Sequence, residues 1–136
     1  MSIQVLIVDD DPEFCAALKA VLTEAGFSVR IAADGAESLQ LLNREHKLIN
    51  VVIVDLNLPG VNGFEVIGAI ARHPTAMRVL ATTGAYNQTF LEVAKHMGAS
   101  IAIRKPGRLE DLREWVPVIN ATLKAEEKMR SMPEAE

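Results

Sequence analysis

The chain is expected to fold as an α/β sandwich around a five-stranded parallel sheet. Three observations carry that expectation. Short apolar runs alternate, five times over, with longer stretches whose apolar residues recur at helical spacing. The clearest run, Val51-Val52-Ile53-Val54, is unbroken and β-branched, as suits a strand buried on both faces. The chain has 136 residues, 49% hydrophobic and 24% charged, which fits one domain with a real core.

The elements follow in order. Val5-Leu6-Ile7-Val8 is the first strand. Asp11-Pro12 opens the first helix, with Asp as its cap and Pro at the first helical position. Phe14, Leu18, Val21 and Leu22 share one face of that helix, and Gly26 ends it. Phe27–Ala32 is the second strand, and Asp34-Gly35 turns into a helix over Ala36–Glu45. After the third strand, Asn57-Leu58-Pro59-Gly60 with Asn62-Gly63 forms a tight loop, followed by the stripe Phe64, Ile67, Ile70. Arg78–Thr82 precedes the stripe Phe90, Val93, Ala94, Met97, which Gly98 ends. Ser100–Ile103 precedes Leu109, Leu112, Val116, Ile119, Leu123, with a kink or break expected at Pro117. These elements make one domain over 1–124. The charged stretch 125–136 has no apolar periodicity and reads as a helix end and a disordered tail.

The bulk properties exclude several function classes. A net charge of −4 disfavours a nucleic-acid or anionic-membrane surface. No run approaches the ~18 apolar residues of a membrane span. The single Cys15 cannot form an internal disulfide and is compatible with the cytoplasm. His46, His73 and His96 have no partner motif and read as surface residues.

Chemistry is concentrated after the strands, where open α/β sheets bind ligands. Asp9-Asp10-Asp11 follows the first strand and Asp55 follows the third. Two carboxylates ~5 Å apart repel by ~3 kcal/mol at an effective dielectric of 20, so such a cluster calls for a counter-ion. Oxygen donors without a Cys/His set point to Mg²⁺ and away from zinc. Asp11 reads as a helix cap, Asp9 and Asp10 as ligands. Thr82-Thr83-Gly84 offers hydroxyls after the fourth strand, with room for close approach at Gly84. Lys105-Pro106 offers a cation after the fifth.

The ordered set resembles the response-regulator receiver family of two-component signalling. It comprises Val-Asp-Asp at 8–10, Val-Asp-Leu-Asn-Leu-Pro-Gly at 54–60, Thr-Gly at 83–84 and Lys-Pro at 105–106. The resemblance spans roughly Ile3 to Leu123. It implies a doubly wound, flavodoxin-like (β/α)5 fold with strand order 2-1-3-4-5. It implies Asp55 as phospho-acceptor and Asp10 as direct Mg²⁺ ligand. Asp9 would act through water, and Asn57 would offer its backbone carbonyl. Thr83, which has the family's spacing to the lysine, would be the switch hydroxyl. Lys105 would pair with the phosphoryl group, its bond to Pro106 commonly cis. The donor would be a histidine kinase or histidine phosphotransfer protein, and a helix-four, strand-five, helix-five surface would meet an unknown downstream protein. Such a switch is not an enzyme beyond self-catalysed phosphotransfer to Asp55 and autodephosphorylation, and it would be a monomer or weak dimer.

Three positions depart from the family pattern: Ala102 and Gly107 stand where aromatics are usual, and Arg104 where an apolar residue is usual. Three other readings compete. A receiver-like interaction module would never be phosphorylated. A Mg²⁺-dependent phosphohydrolase of the haloacid-dehalogenase type would want a carboxylic acid at Asn57. A flavin protein would need a phosphate cradle where Asp9-Asp10-Asp11 repels phosphate. The sequence shows no DNA-binding output domain, so the chain is either a stand-alone receiver or part of a longer regulator.

Overall fold

A computed structural model describes residues 2–73, 77–84 and 88–131, with side chains through 125. The apolar runs become five parallel strands: β1 (Gln4–Val8), β2 (Ser28–Ala32), β3 (Val51–Asp55), β4 (Arg78–Thr83) and β5 (Ile101–Arg104). Their order is β2-β1-β3-β4-β5, as the family resemblance implied. Between and after them run α1 (Pro12–Glu24), α2 (Gly35–Glu45), α3 (Gly63–Ala71), α4 (Gln88–His96) and α5 (Trp115–Ser131).

Strand pleating divides the core in two. Leu6, Val8, Val52, Val54, Val79 and Ala81 face α2, α3 and α4. Val5, Ile7, Val51, Ile53 and Leu80 face α1 and α5. Both faces of the central strands are therefore dry, which explains their continuous apolar runs.

Several boundaries differ from the sequence reading. β3 includes Asp55 and β4 includes Thr83, because Asp55 still pairs with Thr82 and Thr83 with Arg104. The break expected at Pro117 falls two residues earlier. Leu109–Glu114 is a 3₁₀ helix, and α5 starts at Trp115. Pro117 thus falls in the first turn of α5, where backbone N–H groups lack helical partners anyway. The charged stretch from Ala125 carries α5 on to Ser131. Ala, Lys, Glu, Met and Arg are strong helix formers, and no Gly or Pro intervenes. The remaining tail, 132–136, with Met132, lies outside the described residues.

The histidine reading also changes. His46 and His73 are half-buried, and their rings stack with centroids 4.4 Å apart where α2 and α3 end. The Lys105–Pro106 bond is trans, since no cis peptide occurs among the described residues. Trans is the lower-energy form for most X–Pro bonds.

One glycine bears directly on the site. A Cβ at Gly63 would lie 2.2 Å from the Asp55 carbonyl oxygen and 2.7 Å from Leu56 Cα. The start of α3 therefore packs backbone to backbone on the tip of β3, which only glycine permits. Gly84 is less constrained than expected, because its Cβ would reach Lys105 Cδ only at 3.9 Å, an ordinary contact.

Candidate functional site

Asp9, Asp55 and Lys105 belong to one face by the alternation of their strands, the α1–α5 face. The register of β1, β3, β4 and β5 brings their tips together. Asp9 and Asp55 are 2% and 6% exposed, whereas Asp10 is exposed. One carboxylate oxygen from each of Asp9, Asp10 and Asp55 lies within 4.8 Å of the others. Donors of this kind are hard oxygens, which suit a divalent cation such as Mg²⁺.

Each acid is held differently. Asp9 Oδ1 accepts from Asp11 N at 2.9 Å. Its Oδ2 lies 2.7 Å from Lys105 Nζ, an ion pair. Asp11 caps α1, accepting from Glu13 N at 3.1 Å and Phe14 N at 3.3 Å. Asp55 Oδ1 accepts from Asn57 N at 2.9 Å, and Asp55 Oδ2 lies 3.2 Å from Lys105 Nζ.

Burial pushes the Asp9 carboxyl above its ordinary value, and Lys105 partly opposes the shift. For Lys105, burial acts against the charged form, but Asp9 and Asp55 outweigh it and raise its pKa. Cys15 donates to the Asp9 carbonyl at 3.4 Å, and its thiol is pushed up to about 11 by burial and by the Asp9 charge. A thiol so suppressed is inert at neutral pH.

The two threonines separate. Thr82 is fully buried, and its hydroxyl turns to the Val54 carbonyl at 3.4 Å. Thr83 faces the other way and accepts from Asn57 Nδ2 at 3.2 Å. The Lys105 backbone N–H donates to the Thr83 carbonyl at 2.9 Å, tying β5 to β4 at the site. Asn57 thus links the loop after Asp55 to Thr83 through its side chain, a contact with no sequence signal.

The sequence reading also missed an aromatic relay. Lys105 Nζ sits 4.3 Å from the centre of the Phe14 ring. Phe14 in turn meets Trp115 edge to face, with centroids 5.8 Å apart. Phe14 had been legible only as one member of a core stripe.

The model of the response regulator receiver domain matches residues 5–130. The chain belongs to this family. The receiver resembles the TorCAD operon transcriptional regulatory protein TorR of Escherichia coli K12, with 28% identity over 79% of this chain and 46% of that protein. It also resembles the transcriptional regulatory protein TcrA of Mycobacterium tuberculosis, with 31% identity over 81% of this chain and 43% of that protein. The rice two-component response regulator ORR21 is 27% identical over 88% of this chain and 17% of its own length. The receiver therefore spans less than half the length of these relatives. A solved CheY-like receiver domain from Methanospirillum hungatei JF-1 superposes with a TM-score of 0.82 at 28% identity, covering 95% of this chain and 99% of that one. The chemotaxis regulator CheY4 of Vibrio cholerae superposes with 0.77 at 27% identity, covering 90% and 99%. Among the described residues, no helix of this receiver is long and apolar enough to cross a membrane.

Proposed function

We propose that this receiver is a cytoplasmic, phosphorylation-dependent switch that accepts a phosphoryl group on Asp55. The observation that carries the reading is the Lys105 ammonium bridging Asp9 and Asp55 beside a three-carboxylate cluster. The donor is a histidine kinase or histidine phosphotransfer protein. An Asp55 carboxylate oxygen attacks the phosphorus; a P–O bond forms as the P–N bond breaks, and its electron pair leaves with the donor imidazole. Lys105 is placed to meet negative charge on the transferred oxygens, and preorganised charge of this kind is most of what phosphoryl transfer requires. The Thr83 hydroxyl, held by Asn57, is placed to exchange that contact for a phosphoryl oxygen.

Asp10, Asp55 and the Asn57 backbone carbonyl would hold Mg²⁺, with Asp9 acting through water because Lys105 already claims its Oδ2. The ion would neutralise charge on the phosphoryl oxygens. An asparagine whose amide is engaged by Thr83 cannot serve as the acid of a phosphohydrolase, so that reading is set aside. The downstream partner would meet α4 and β5, where Phe90 and Val93 are exposed and Ile101 to Ile103 are half-exposed. With Ala102 on β5, no aromatic is available there to swing.

The test is incubation with acetyl phosphate. With Mg²⁺, the mass rises by one phosphoryl group and Trp115 fluorescence changes through Phe14 and Lys105; with chelator, neither occurs. A protein unchanged by mass and fluorescence in Mg²⁺ is instead a binding module. The ligand roles have their own test by Mg²⁺ titration. Asp10→Ala is expected to weaken Mg²⁺ at least about tenfold, the scale on which losses around a metal site are felt. Asp11→Ala leaves Mg²⁺ affinity within about threefold and costs about 1 kcal/mol of stability through the lost cap. Equal weakening in both variants would contradict this division of roles.

A further inference from the structure

We propose that Phe14 is a positioning residue for phosphotransfer, its ring face being the seat that holds the Lys105 ammonium between Asp9 and Asp55. An ammonium has three N–H donors. Here Asp9 Oδ2 lies at 2.7 Å, Asp55 Oδ2 at 3.2 Å and the Phe14 ring centre at 4.3 Å. The cation is thus bounded on three sides, and only two of the three are acids.

The third side matters because the acids change during the reaction. Once Asp55 is phosphorylated, the lysine must shift toward a phosphoryl oxygen. A carboxylate in the position of Phe14 would add repulsion to a site already crowded with negative charge, and would compete for the ammonium. An aromatic face attracts a cation through its quadrupole, carries no net charge and tolerates lateral movement. It therefore keeps the ammonium near the reaction without fixing it to one oxygen.

The seat is itself rigid. Phe14 is 3% exposed, and Asp11 fixes the start of α1 by accepting from the Phe14 N–H. Trp115, also buried, closes against the ring at an interplanar angle of 66°. The Asp11 cap thus contributes to the site indirectly: it sets the helix turn that presents Phe14 to Lys105.

This assignment rests on the proposed phosphorylation of Asp55, and the experiment separates the two. Phosphorylation rates by acetyl phosphate at saturating Mg²⁺ are measured for the wild type, for Phe14→Leu, and for protein carrying mono-, di- and trifluorinated phenylalanine at position 14. Fluorination drains the ring quadrupole while nearly preserving its shape, so a merely structural role would leave the series flat. Phe14→Leu is expected to slow phosphorylation about two- to thirtyfold, the span of cation–π contacts from exposed to desolvated. The fluorinated series slows stepwise, while Mg²⁺ affinity stays within about twofold throughout. A phosphorylated wild type with a flat series overturns the role of Phe14 alone. A wild type that takes up no phosphoryl group overturns the functional reading and this assignment with it.

Discussion

Asp55→Asn is expected to abolish acid-labile phosphorylation completely while leaving the fold intact. The amide is nearly isosteric with the carboxylate and still offers an oxygen to the Asn57 N–H, the contact that Asp55 Oδ1 makes at 2.9 Å. It has no nucleophilic anion, and no neighbour replaces it. Asp10 is exposed at the mouth of the cluster, and Asp9 Oδ2 is paired to Lys105. Stability should not suffer. Oxygens within 4.8 Å of one another belong to three acids with one nearby lysine. A pair of like charges at that separation repels by about 3 kcal/mol at an effective dielectric of 20, so removing one charge offsets the lost Lys105 contact. Thermal melts without metal should place the variant within about 1 kcal/mol of wild type or above it. Phosphoryl uptake in the Asp55→Asn protein, read by intact mass, would refute the acceptor assignment.

Lys105→Met is expected to impair both chemistry and stability. Loss of a preorganised cation at the transferring oxygens should slow phosphorylation by about a hundredfold or more. In the metal-free protein, Asp9 would be left buried without its counter-charge, at a cost of about 1–3 kcal/mol near neutral pH. The pH dependence follows from the shifts. Burial raises the Asp9 carboxyl above its ordinary value of 3.8, and Lys105 opposes that rise. Without Lys105 the carboxyl rises further, so the folded state binds its proton more tightly than the unfolded state does. Stability then falls as pH climbs from 3.8 through the raised folded value. The deficit of Lys105→Met should therefore be largest above that window and shrink on acidification toward it. In wild type, Lys105 is raised above 10.5, so its contribution is present below 10.5 and fades as pH passes the folded value. Chemical denaturation across pH reads both effects. A deficit that grows on acidification would show that Asp9 is not the group left stranded.

The difference between Thr82 and Thr83 shows where sequence reasoning reached its limit. Both follow an apolar run, and only spacing to the lysine distinguished them. In the folded protein, strand alternation sends the Thr82 hydroxyl to the Val54 carbonyl and Thr83 toward Asn57. The register of β3 against β4 makes that choice, and register is a property of two strands together. Pro117 shows the same limit from another side. Its missing donor was legible, but whether that interrupts a helix depends on where the helix begins. Packing of the 3₁₀ helix Leu109–Glu114 against α1 through buried Leu112 places that start at Trp115.

By itself, the sequence determined the α/β class, the cap at Asp11, the acids and lysine at the strand tips and the family these belong to. Those features are written in local periodicity, in cap and turn chemistry, and in residue type at the end of each apolar run. Only the tertiary structure decided which of these groups touch. It placed Asp55 inside β3, set Gly63 against its backbone, gave Asp9 to Lys105 and seated that ammonium on Phe14 beside Trp115. These contacts join residues far apart in the chain. They exist because parallel register and pleat direct Asp9, Asp55 and Lys105 to the same face of the sheet, a geometric outcome of the whole fold that no local stretch encodes.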